Sequence, residues 1–243
     1  FAPAESIDGK KIVLQCDVDF NNKPFTPISS ARNITFEGQG NTIRNIAYTP
    51  GQSGGGDGGY ATMFELVSGT FRNLNIENVQ AIDPQTNRAS AFLGYFIEGT
   101  VENVHVKNVE IKGFQKLAGI ISMITLDTNK DVTLRNCSVD GISFEKSDKG
   151  DVYQAGGLVG YIASGINSGT EAKIVFENCS VEGDVVINDT PVLTSDDSGF
   201  FSNPFVGSIG SSATKGAVAE IHFNSCSVDN LTLSATPALS ISP

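Results

Sequence analysis

Apolar and polar residues alternate in short runs along most of the chain, and the runs recur with one internal grammar. Each has an apolar residue, a variable one, an asparagine, apolar residues at alternate places and a second turn residue. The first reads Phe71-Arg72-Asn73-Leu74-Asn75-Ile76-Glu77-Asn78-Val79, and the next Val101-Glu102-Asn103-Val104-His105-Val106-Lys107-Asn108-Val109. Later copies cover 134–142, 176–183 and 223–231. The first asparagine falls at 73, 103, 136 and 178, with Ser225 in the last copy, so the steps are 30, 33, 42 and 47. The grammar persists while the period drifts, which means that insertions loop out of a fixed unit. Upstream of the copies stands a glycine-containing apolar run, at 91–96, 119–124, 157–162 and 205–209, with a looser version at 63–67.

Alternation turns one face of a strand inward, and a strand this short cannot bury that face alone. Stacking the next copy about 4.8 Å away pairs the backbones and aligns like residues in columns. One column is Phe71, Val101, Leu134, Phe176 and Phe223; another is Ile76, Val106, Val139, Val181 and Val228. The expected fold is all-β: a single-stranded right-handed parallel β-helix, or solenoid, of about seven coils with loop insertions. The hand follows from the near-universal right-handed crossover between parallel strands. No segment keeps a 3.6-residue apolar period, so helix is not expected. The whole of 1–243 reads as one domain, with N-terminal coils over about 11–46, repeat coils over about 61–233 and a loose tail at 234–243. A leucine-rich repeat has shorter periods and more leucine. A β-sandwich would not explain two elements recurring in one order.

The asparagines have a physical role. A tight corner between two strands needs residues at positive φ, which Asn and Gly tolerate best. The second corner reads Asn78, Asn108, Gly141, Gly183 and Asn230. Stacked Asn amides also hydrogen-bond along the stack.

Composition narrows the function. Charged residues are only 18% of the chain, apolar ones 40%, and the formal net charge is −11. That charge repels a phosphate backbone and an anionic bilayer, so nucleic acid is excluded as the expected partner. No apolar run reaches the roughly 20 residues of a membrane helix, so membrane insertion is not expected. The chain opens on Phe1; it is expected to be a trimmed or mature form whose signal peptide is gone.

The run Ala155-Gly156-Gly157-Leu158-Val159-Gly160-Tyr161 resembles the GLUG repeat of bacterial surface proteins. Asp17-Val18-Asp19-Phe20, then Phe25-Thr26-Pro27-Ile28 and Phe36-Glu37-Gly38-Gln39-Gly40-Asn41-Thr42-Ile43, look like the opening segment that often precedes such repeats. The resemblance spans about 11–233, with departures: Ser122 replaces the second glycine, and Glu65 stands in the first copy. It implies an exported, adhesin-like protein, outside the cell or on its surface.

Candidate chemistry is sparse. His105 and His222 are the two histidines, both expected to point outward about three rungs apart and to share no metal. Cys137, Cys179 and Cys226 share one inward column, and together with Cys16 lack Cys-x-x-Cys spacing. They are expected to be reduced, buried core residues, so no metal and no cofactor is anticipated. The glycine run at 54–59 around Asp57 reads as a flexible loop, since a glycine-rich Ca²⁺ turn needs tandem copies. The tight acidic pair is Asp196-Asp197, in a Ser/Thr-rich loop. Insertions before the glycine run (49–60, 83–90, 147–154, 188–203) and after it (127–131, 164–171, 210–219) would wall one sheet. The alternatives there are loops that seal this sheet, or a groove with Tyr95 or Tyr161 in its floor and Asp196 and Asp197 on one rim. Tyrosine offers a sugar or peptide an apolar face and a hydroxyl. The expectation is a non-catalytic surface module binding a glycan or a host or cell-surface protein. The alternative is a carbohydrate-active enzyme of the β-helix class, a lyase or hydrolase, which would need clustered carboxylates.

Overall fold

The computed structural model describes residues 6–48, 59–82, 88–113, 115–125, 130–146, 153–163, 171–188, 200–203, 205–210 and 218–235. These residues are all-β, and no described residue is helical. The chain begins with β1 (Lys11–Val13), β2 (Val18–Asp19) and β3 (Pro24–Phe25), followed by β4 (Ile28–Glu37) and β5 (Thr42–Tyr48). The first repeat level holds β6 (Tyr60–Ala61) and β7 (Phe64–Ile82), and the next β8 (Arg88–Ser90) and β9 (Leu93–Gly113). From there each level divides into four. These are β10 (Lys116–Ala118), β11 (Ile121–Thr125), β12 (Val132–Arg135) and β13 (Ser138–Lys146), then β14 (Tyr153–Gly156), β15 (Val159–Ala163), β16 (Glu171–Glu177) and β17 (Ser180–Asn188). The last level is β18 (Phe200–Asn203), β19 (Val206–Gly210), β20 (Val218–Asn224) and β21 (Ser227–Ala235).

All pairings are parallel, and each strand pairs with its counterpart one repeat away. The longest path runs β1-β4-β7-β9-β11-β15-β19. Register follows the repeat grammar: Phe71 faces Val101, Val101 faces Leu134, Leu134 faces Phe176 and Phe176 faces Phe223. Phe36 extends this column below Phe71. The first four repeat members are fully buried, while Phe223 in the last level is 49% exposed. The second column behaves alike, buried from Ile76 to Val181 and open at Val228. Strand β21 continues to Ala235, past the boundary of 233 expected for the repeats.

The asparagine corners form as expected. Asn73, Asn103, Asn136 and Asn178 have φ of 57°, 51°, 51° and 51°, and Ser225 adopts 54°. Their amides form a ladder: Asn103 Nδ2 donates to Asn73 Oδ1 (2.8 Å), Asn136 to Asn103 (3.0 Å) and Asn178 to Asn136 (3.2 Å). Glu37 ends the ladder by accepting from Asn73 Nδ2 at 3.0 Å. That bond, the Gln39 N–H and the Arg72 guanidinium hold the Glu37 carboxyl below the usual range. The second corner repeats the device, with Asn78 and Asn108 at positive φ and Gly141 and Gly183 in the same place. Asn136→Leu should therefore lower stability by about 1–3 kcal/mol, through lost amide bonds and a strained φ. Asn136→Gly keeps the corner and should cost less. Urea melts would reveal the order, and an unchanged Asn136→Leu midpoint would contradict the ladder.

The cysteines are free thiols. Cys137 and Cys179 are buried, but Cys226 is half-buried because it belongs to the last level, and Cys16 is exposed. Burial pushes the Cys137 thiol well above the ordinary range, as expected of a core thiol.

The segments just before each glycine run, most of them read as insertions, form strands. These strands, β6, β8, β10, β14 and β18, pair into a second five-stranded parallel sheet. Its closeness to the first sheet explains the second glycine of the repeat. A Cβ on Gly160 would lie 2.7 Å from the Leu117 carbonyl oxygen in the preceding level, and one on Gly207 would lie 2.7 Å from the Ala155 carbonyl carbon. Ser122 fills the equivalent place with its Oγ donating to the Lys116 carbonyl at 2.8 Å. Glu65 stands where, among the described residues, no strand of the second sheet lies below, and it is buried.

Candidate functional site

Register defines two parallel columns of residues, one on each sheet. On the first sheet, register aligns Leu66, Tyr95, Met123, Tyr161 and Ser208. Tyr95 and Tyr161 are half-buried, whereas Phe96, Ile124 and Ile162 beside this column are fully buried. Alternation from the sequence left open which residues of this run face the core. Val159 and Ile162 join it, and Leu158 does so as well because the chain bends before β15.

On the second sheet, register aligns Tyr60, Arg88, Lys116 and Gln154. The columns meet. The Lys116 Nζ lies over the Tyr161 ring, 5.3 Å from its centroid, and the Arg88 guanidinium lies 5.1 Å from that of Tyr60. These are cation–π distances. Lys116 also donates to Gln115 Oε1 at 3.0 Å. Among the described residues, Arg88 Nε and Gln154 Oε1 are buried without a hydrogen-bond partner. Neither Arg88 nor Lys116 takes part in an ion pair among the described residues. By contrast, surface cations such as Arg44, Lys107 and Lys173 each face a carboxylate.

The electrostatics follow from this crowding. Burial, and then the neighbouring charge of Arg88, pull the Lys116 pKa down to about 8. The Tyr60 hydroxyl is pushed up, first by burial and also by Glu65 and Tyr95, with Arg88 acting in the opposite direction.

Lys116 makes stability depend on pH with a definite sign. Its folded pKa is below the ordinary 10.5, so between about 8 and 10.5 the unfolded chain holds the extra proton. Its contribution to stability therefore rises with pH across that window. Urea melts at pH 7.5 and 9.5 should show wild type gaining on Lys116→Met as pH rises, with other titrations cancelling in the comparison. No change in the difference would contradict a desolvated ammonium.

Asp196 and Asp197 lie outside the described residues, so the rim assigned to them has no structural account. The glycine run at 54–58 lies outside them as well. The sequence reading missed Arg88, Lys116, Gln154 and Tyr60. Their signal was a small or apolar pair at fixed distance before the glycine run, as in Arg88-Ala89-Ser90, Lys116-Leu117-Ala118 and Gln154-Ala155-Gly156.

A groove of about 640 Å³ follows the other corner and is lined by Asn45, Asn78, Asn108, Gln80 and Glu110 among others. Its amides already serve one another: Asn78 donates to Asn45 and Asn108 to Asn78, at 3.0 and 3.2 Å. The histidines are exposed and separate. His105 meets Ser138 Oγ at 2.8 Å and His222 meets Glu220 at 3.1 Å. Among the described residues, no three His, Cys, Asp or Glu side chains come together as metal ligands.

No protein family, no curated protein and no solved structure matches this chain.

Proposed function

We propose that the chain is a right-handed parallel β-helix displayed outside the cell, related to the GLUG-repeat surface proteins, and that it binds a glycan or surface protein without turning it over. Parallel pairing of every level with the next and the repeated Asn corners support the coil, and the crossover rule supports its hand. One observation carries the binding reading: the strip where Tyr60, Tyr95 and Tyr161 stand beside Arg88 and Lys116 between two sheets. Half-buried tyrosines with adjacent cations combine flat apolar faces with directed donors, a composition that suits recognition of hydroxylated ligands. A glycan array, paired with an assay for reducing ends released from the same glycans, tests it. The expected result is binding that Tyr95→Ala and Tyr161→Ala weaken, with no release. Release of reducing ends would make the protein a carbohydrate-active enzyme and overturn the reading.

A further inference from the structure

Arg88 and Lys116 are register neighbours on adjacent strands, so their backbones stand about 4.8 Å apart. Two cations stacked at that spacing in a half-buried place repel each other and lose hydration. Two other cations of the described surface are instead flanked by carboxylates in their column. Arg44 sits between Asp19 and Glu77 in one column, and Lys107 between Glu77 and Asp140. In the strip no carboxylate among the described residues forms an ion pair with either cation. Glu65 belongs to the first repeat level, in the neighbourhood of Tyr60, and is not among the groups that shift Lys116. Gln154, only 7% exposed, follows Lys116 in the same column with its Oε1 unsatisfied, and Arg88 Nε is likewise unsatisfied. A buried polar atom left unpaired is costly, which marks it as waiting for a partner.

These features define complementary chemistry. The cations call for an anion. The Gln154 carbonyl calls for a hydroxyl or amide donor. The Tyr95 and Tyr161 rings, on backbones two levels or about 10 Å apart, call for flat apolar faces. Resting on the binding reading above, we infer that the ligand is an acidic saccharide. Its anionic group lies between Arg88 and Lys116, a sugar ring lies against a tyrosine, and a hydroxyl donates to Gln154 Oε1. A charged group of the ligand would supply the ion pair that no described residue makes with Arg88 or Lys116, and this gives a protein of net charge −11 a local preference for anions.

The chain has no Trp and five Tyr, three of them in the strip, so tyrosine fluorescence reports on this place directly. The test titrates the protein with sialyllactose and with lactose, and screens an array of neutral, carboxylated and sulfated glycans. Acidic glycans are expected to dominate the array, and sialyllactose to bind more tightly than lactose. Lys116→Met, similar in volume and uncharged, should weaken acidic binding about ten- to hundredfold, the worth of a charge-assisted bond. Lys116→Arg should retain most of it, and matching melting curves would show that both variants fold. Neutral glycans binding as tightly as acidic ones, still sensitive to Tyr161→Ala, would overturn this inference and leave the binding reading standing. An array without any hit would overturn both. Acidic binding that emerges only in Asp196→Asn/Asp197→Asn would mean that the chain's own carboxylates occupy the cations, and would also overturn it.

Discussion

Phe71→Ala should cost about 3–5 kcal/mol, close to half the stability of a typical domain. Phe71 is fully buried, and its ring lies 5.4–6.4 Å from those of Phe92, Phe64, Phe96 and Phe36, which come from three consecutive levels. Truncation opens a cavity that these levels, held by their backbone ladders, cannot collapse to fill. Phe223 occupies the same column in the last level, stacked on Phe176 at 4.9 Å, but it is 49% exposed. Phe223→Ala should cost only about 1–2 kcal/mol, since less area leaves water and the open end accommodates the change. Urea unfolding followed by circular dichroism would compare the two. Equal losses would mean that position along the stack does not govern burial.

Gly160→Val should be as damaging or worse, with a loss of at least about 3 kcal/mol or failure to fold. A Cβ at this position would come within 2.7 Å of two backbone oxygens, those of Leu117 and Ser122, and within 3.0 Å of the Leu117 nitrogen. Backbone atoms in a ladder cannot swing aside as a side chain would. The damage would also reach the strip, because Leu117 follows Lys116 and Tyr161 follows Gly160. Soluble expression and the thermal midpoint would measure the effect, and a midpoint within a degree or two of wild type would mean that the two sheets are not in this contact.

The repeat grammar makes the first sheet legible in the sequence alone. Phe71, Ile76 and their counterparts alternate with polar residues, and Asn73 and Asn78 mark the corners, so period and turn chemistry agreed. The second sheet was not legible, because strands of two to four residues such as Arg88–Ser90 carry no measurable alternation. The site suffered for the same reason. Tyr95 and Tyr161 lie in long apolar runs and stood out. Arg88 lies in a segment that reads as an insertion and Lys116 just before a glycine run, and only pairing reveals that they share a column with each other and with Tyr60. The glycine of the repeat was visible as a pattern, but its cause, the backbone of another sheet, lies far away in sequence.

The central claim is that successive repeats stack as levels of one coil. Arg44, Glu77, Lys107, Asp140, Glu182 and Asp229 form one outward column through register pairs on six levels. The most direct measurement is a pulsed electron paramagnetic resonance distance between spin labels at Arg44→Cys and Asp229→Cys, with Cys16 and Cys226 replaced by serine. Five steps along the stack predict one narrow backbone separation of about 24 Å, widened only by the labels. A peak below about 15 Å or above about 40 Å, or a distribution without a peak, would contradict the stack.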